Sequence, residues 1–279
     1  MPSVIFDRAA QYYDATRGFA DGVAERICDA IVAYTHATMQ THFLELGIGT
    51  GRVALPFVRA GYDYTGVDLS QSMMDQLARK LADEPDTSRH RYRLVQADVT
   101  ALPFADASFD VAIAVHVLHL VDGWQQALRE AVRVLRKPGA WLLIAYDMSA
   151  SEEHASVQKI VNARWDSILR ELGTSREALL PGLRDGDRTQ MEAAVQPFLR
   201  ELGARTETVT LVEHATPPLS PRAMAQRHRD RMYSADWLLP DDLHAEAIRR
   251  LDVWIDSDCP NPDQPISTSA YFKAVTAHW

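Results

Sequence analysis

The stretch FLELGIGTG, Phe43–Gly51, sets a carboxylate, Glu45, inside an apolar run and then places three glycines at every second position. A short apolar segment that stops at glycine reads as a buried parallel strand entering a tight turn. Gly47, Gly49 and Gly51 allow unusual φ values and close approach of the backbone to a ligand. The following RVALPFV has a helical pattern, so the turn delivers a helix N-terminus to that ligand. This is the chemistry of a nucleotide-binding crevice. Glycines alone leave the nucleotide open, because Gly49, Gly51 and Ala54 also satisfy the dinucleotide fingerprint G-x-G-x-x-A.

Carboxylates at strand ends narrow the choice. Glu45 either accepts hydrogen bonds from a cationic ligand or is a buried group bonded to nearby amides. Asp68, ending YDYTGVD, is placed to take both hydroxyls of a ribose; the alternative is a strand-end cap. Asp98, in QADVTALPF, can meet the exocyclic amine of an adenine between Leu69, Met73 and Val99, or it is a turn aspartate. Tyr13 and Arg17 stand four residues apart, on one helical face, either as a core aromatic and a solvated charge or as part of the site.

The elements that must position these groups alternate along the chain. Residues 3–39 read as mostly helical, with Asp21 starting the second helix. HFLELG, YDYTGVD, RYRLVQAD, FDVAIAVHV and AWLLIAYD read as strands. Between them Ser70 caps one helix and Asp122 another, and RKPG stops the latter. Strands separated by helices make a doubly wound parallel α/β sheet. Beyond Asp147 come a helix over 151–172, a loop at LPGLRDGD, and a helix over 188–202 with Pro197 against its continuity. A strand at TETVTLVEH, helices over 221–233 and 240–257, and a last strand at ISTSAYFKAVTAHW complete the chain. The expected organisation is 1–149 for helical arm and cofactor core, 150–204 for a helical cap, and 205–279 for late strands with a second helical insertion.

A net charge of −9 disfavours nucleic acid as a partner. Cys28 and Cys259 have no metal or redox spacing, which fits a reducing, cytoplasmic setting. No apolar run approaches the ~18 residues of a membrane span, and the N-terminus carries charge too early for a signal peptide. His116 and His119 lack a third ligand, so no metal is expected.

Taken together, ELGIGTG, VDLS, QADVTALPF, FDVAIAVHVLHLV and RKPG occur in an order that resembles the class I S-adenosylmethionine-dependent methyltransferases. The upstream FDRAAQYYDATRG is similar to the helical arm of the ubiquinone and menaquinone biosynthesis branch. The resemblance covers about residues 6–147. It implies a Rossmann-like, seven-stranded sheet, mostly parallel with an antiparallel last strand, carrying helical insertions as a cap. It implies S-adenosyl-L-methionine as cofactor and S-adenosyl-L-homocysteine as product. Gly47, Gly49 and Gly51 would meet the methionine part, Asp68 the ribose, and Asp98 and Val99 the adenine. Arg17 would pair with the cofactor carboxylate while Tyr13 closes over it.

The acceptor is expected to be a small molecule, with the protein a monomer or homodimer. His116 is the base candidate of the core, with a packing or cofactor role as the alternative; Tyr146 and Asp147 are expected near the acceptor. Trp165, Met224, His228, Met232, Tyr233 and Trp237 suit an apolar pocket, or ordinary helix packing. His228 and Tyr233, with Arg227, Arg229 and Arg231 beside them, are the catalytic candidates of the late helix. Two other functions remain at this level. An NAD-dependent oxidoreductase would need a hydride-site set such as Y-x-x-x-K, which the sequence lacks. A non-catalytic scaffold would be told apart by transfer assays.

Overall fold

Apolar runs bounded by glycine and aspartate become the strands of one sheet in the computed structural model, which describes residues 5–84, 91–149, 157–180 and 188–279. The N-terminal arm holds α1 (Tyr13–Arg17), followed by α2 (Val23–Thr35). The core continues with β1 (His42–Leu46), α3 (Ala54–Ala60), β2 (Asp63–Asp68), α4 (Gln71–Ala82), β3 (Arg91–Gln96), β4 (Val111–Val115), α5 (Trp124–Val134) and β5 (Trp141–Ser149). Then come α6 (Val157–Glu171), α7 (Arg176–Leu179), α8 (Arg188–Glu201), β6 (Arg205–Ala215), α9 (Pro221–Arg229), α10 (Ser234–Trp237), α11 (Asp241–Ser257) and β7 (Ser269–His278).

The seven strands lie in the order β3-β2-β1-β4-β5-β7-β6. β1 to β5 run parallel, and β7 runs antiparallel to both β5 and β6. Alternate residues of the central strands feed two cores. Leu44, Ala112 and Leu142 pack with Leu128 and Ala131 of α5 on one face. Phe43, Ile113 and Leu143 pack with Ile27 of α2, Phe57 of α3 and Leu77 of α4 on the other. Burial on both faces explains why these strands are continuously apolar rather than alternating. The strand order reverses between β1 and β4, which opens a crevice at their carboxyl ends.

A third apolar cluster joins α6, α9 and α11 through Val161, Trp165, Met224 and Leu251 and forms the cap. α8 packs elsewhere: Met191, Val195 and Leu199 belong to the sheet's core. It runs unbroken past Pro197. Three local expectations are corrected. α5 starts at Gly123, whose left-handed φ of 88° makes the turn, and Asp122 does not cap it. α2 starts from Gly22 in the same way, not from Asp21. α9 starts at Ser220, whose hydroxyl accepts from Ala223 N, but ends at Arg229, so His228 and Tyr233 do not share a helix. Residues 181–187 of the expected loop and 151–156 of the expected helix lie outside the described residues.

The arm bridges core and cap. Ser70 Oγ donates to Asp7 at 2.6 Å, and Thr50 Oγ1 donates to Asp14 at 2.6 Å. Lys80 pairs with the same Asp14, and Arg52 donates to the Arg17 carbonyl at 2.9 Å. Toward the cap, Arg17 donates to the Met232 carbonyl at 3.4 Å. Among the described residues no helix is long and apolar enough to cross a membrane.

Candidate active site

Two cavities open at the carboxyl edge of the sheet. The smaller, about 70 Å³, lies between the ends of β1, β2 and β4 and the arm. Gly47 and Gly49 form its floor and Asp68 its polar lip; Leu69, Met73, Val99 and Val117 are among its apolar walls. The larger, about 250 Å³, lies between the arm, the start of α6, the end of β6 and α9. Among the described residues, Tyr13 and His116 alone line both.

The glycines divide by what a side chain would meet. At Gly47, with φ 73°, a Cβ would come within 2.6 Å of Val117 Cγ2. At Gly49, with φ 55°, it would touch only Met73 Cε, at 3.3 Å. Gly51 has φ 78° but does not line the cavity; a Cβ there would lie 2.4 Å from Leu77 Cδ1. Its role is the close packing of loop on α4. Gly66 in β2 does the same for Ile48, whose Cδ1 stands 2.0 Å from a built Cβ, a position the sequence reading missed.

Asp68 is bound on both oxygens. Oδ2 accepts from Gly49 N at 2.9 Å and Oδ1 from Ser70 N at 2.9 Å. Burial pushes its carboxyl up, against backbone hydrogen bonds from Ser70, Gly49 and Leu69. The carboxylate thereby ties the glycine turn to the N-terminus of α4. Asp98 sits just beyond β3 and its Oδ1 accepts from Thr100 N at 2.8 Å and from Thr100 Oγ1 at 2.7 Å. Its neighbours Ala97 and Val99, rather than Asp98 itself, line the cavity.

Glu45 is buried beneath the turn, where the Tyr64 hydroxyl donates to Oε2 at 2.8 Å. It lines neither cavity. Burial pushes its carboxyl up to about 8, while the Tyr64 hydrogen bond and the Arg52 charge pull it down. Folded Glu45 therefore keeps its proton where an unfolded chain has lost it, from 4.5 up to about 8. Stability from this group is full below that window and is lost as pH rises through it. In thermal melts Glu45→Gln, a mimic of the neutral form, is expected to exceed the wild type at about pH 9 and to converge with it at about pH 5. Parallel curves across that range would mean that Glu45 is ionised throughout.

His116 follows β4 with a left-handed φ of 53°, a strained conformation for a side-chain-bearing residue. Its ring meets the buried Tyr146 edge-on at 5.8 Å. Tyr146 stands behind His116 and lines neither cavity; the side chain of Asp147 lies outside the description. Arg17 lines the larger cavity and lies 4.8 Å over the Tyr233 ring.

The late-helix candidates sit behind the walls. His228 is sealed in the cap, with Nδ1 2.9 Å from Asp236 Oδ2 and Nε2 3.2 Å from Asn162 Oδ1. Its ring stacks on Trp165 at 4.5 Å. The Tyr233 hydroxyl donates to Met224 Sδ at 3.0 Å. Trp237 packs on Phe6 of the arm at 4.9 Å. Trp165, Met224, His228, Met232, Tyr233 and Trp237 are all missing from the described linings. The larger cavity is instead lined by His214, Thr216, Thr268 and Arg227, with Phe19, Leu219 and Ile266 among its apolar walls. Of these only Arg227 carried a signal in the sequence, as one of three clustered arginines. Among the described residues no group of three or more His, Cys, Asp or Glu is placed to hold a metal ion.

Residues 44–144 match the family model described as a methyltransferase domain. The matched residues carry the strands and the crevice that form the smaller cavity, so this part of the chain is similar to the methyltransferase domains that use S-adenosylmethionine as cofactor. The chain is similar to a demethylmenaquinone methyltransferase of Renibacterium salmoninarum, 33% identical over 144 residues, covering 51% of this chain and 57% of that protein. It is 28% identical over 139 residues to the uncharacterized methyltransferase YcgJ of Bacillus subtilis, covering 50% and 53%. The chain thus spans about half the length of the curated relatives it matches. The crystal structure of YcgJ aligns with 90% of this chain and 97% of its own, with TM-score 0.54 and 16% identity. That of the [4+2]-cyclase SpnF aligns with 100% and 98%, with TM-score 0.52 and 18% identity. At these identities the structural likeness speaks to fold alone.

Proposed function

We propose that this protein transfers a methyl group from S-adenosylmethionine to a small molecule seated in the larger cavity. The supporting observation is that the two cavities meet at Tyr13 and His116. The residues suit the cofactor. Gly47 and Gly49 bring bare backbone to the floor, Asp68 offers carboxylate lone pairs to ribose hydroxyls, and Leu69, Met73 and Val99 flank an adenine. Arg17 stands on the larger-cavity side of the junction, where the cofactor carboxylate reaches it past Tyr13, and Tyr233 beneath its guanidinium holds it in place. The bound cofactor supplies a methyl group on a good leaving group, so the chain's task is alignment and exclusion of water. Tyr13 closes the junction. His116 takes the proton when the acceptor is a protonated oxygen or nitrogen.

The test uses isotope-labelled methyl donor with the small-molecule fraction of a cell extract, read by mass spectrometry. A labelled product is expected. His116→Ala is expected to lower its turnover by about 100-fold, with S-adenosylhomocysteine affinity changed less than about tenfold. Matching losses in both would reduce His116 to a wall of the cofactor cavity.

A further inference from the structure

The sign of the charge in the larger cavity bears on its acceptor. Arg17, Arg52 and Arg227 line it, and none of its described lining residues is Asp or Glu. This is unexpected in a chain of net charge −9. The neighbouring arginines of the late helix are handled differently. Arg229 pairs with Asp252, and Arg231 pairs with Asp241 at 2.7 Å. Arg227, one turn earlier, is half-buried and among the described residues pairs with no carboxylate. Its Nη1 donates at 3.3 Å to the carbonyl of Thr16, the residue next to Arg17 on the arm, and both guanidiniums face Tyr233. The Arg17 Nε is buried and meets no acceptor among the described residues.

Two guanidiniums held together in a partly desolvated cavity repel one another unless an anion joins them. The cofactor relieves one of them at most. It brings a single carboxylate, already matched to Arg17, together with an ammonium and a sulfonium, so its net charge is positive. The second anion must come from the acceptor. We infer that the acceptor is an amphipathic small molecule whose carboxylate is held by Arg227, with its apolar body against Phe19, Leu219 and Ile266. The planar fork of arginine binds a carboxylate through two parallel hydrogen bonds. A cavity of about 250 Å³ suits one such molecule. This rests on the reading that the smaller cavity holds the cofactor.

The experiment is calorimetry on the full chain saturated with S-adenosylhomocysteine. The probes are phenylacetate, 4-phenylbutyrate and octanoate, their primary amides, and phenyl phosphate. At least one carboxylate is expected to bind about tenfold or more tightly than its amide. Arg227→Gln is expected to abolish that preference while keeping its affinity for S-adenosylhomocysteine and its melting temperature. Arg227→Lys, which keeps the charge but loses the fork, should fall between. Amides binding as well as carboxylates, phenyl phosphate binding more tightly than every carboxylate, no probe binding at all, or an unchanged preference in Arg227→Gln would each overturn the inference. Absence of S-adenosylhomocysteine binding at the first step would instead overturn the cofactor reading.

Discussion

Asp68→Ala is expected to weaken S-adenosylhomocysteine binding by roughly 10- to 150-fold, or about 1.5–3 kcal/mol. The assigned ribose hydroxyls would lose a charged, preorganised acceptor. The geometry adds a second consequence. Both carboxylate oxygens also hold backbone amides, of Gly49 and Ser70. Alanine frees those amides and slackens the turn that forms the cavity floor. A modest fall in melting temperature should therefore accompany the loss of affinity. Asp68→Asn keeps one amide acceptor and should recover much of the melting temperature but little of the affinity. If Asp68→Ala leaves affinity intact while the melting temperature collapses, the carboxylate is only a clasp for the turn.

Gly51→Ala is expected to act on the fold instead, by about 2–4 kcal/mol. Its backbone is left-handed, and the added methyl would meet Leu77, a fully buried side chain of α4 with no room to swing away. Gly49→Ala should cost less stability, since only the flexible end of Met73 is near. It should cost more affinity, because Gly49 faces the cavity. Chemical denaturation with parallel calorimetry on the two variants separates these effects. Equal stability losses for both would show that the turn, not the contact with α4, is what Gly51 serves.

The core was legible because its signals are local. Apolar runs ending in glycine or aspartate marked β1 and β2, and the same ends supply Gly47, Gly49 and Asp68 to the cavity. Where a residue's partner lies far along the chain, spacing said little. Glu45 is placed by Tyr64 on the adjacent strand, and Gly51 by Leu77 on a later helix. The larger cavity is the extreme case. His214, Thr216, Arg227 and Thr268 come from the end of β6, from α9 and from the approach to β7. They meet only because β7 enters antiparallel between β5 and β6, and no local period announces that. Aromatic and sulfur residues pointed to a pocket in the cap, but Trp165, Met224 and Tyr233 pack in the cap's own core and Trp237 packs on the arm. Tyr233 was carried out of the late helix when α9 stopped at Arg229, just ahead of Arg231 with its left-handed φ of 50°.

Calorimetric titration of the purified chain with S-adenosylhomocysteine and, separately, with NAD decides which cofactor the crevice binds. Saturable binding of S-adenosylhomocysteine at one site per chain, weakened by Asp68→Ala, is expected, with no comparable heat from NAD. Saturable binding of NAD with no signal from S-adenosylhomocysteine would contradict that expectation.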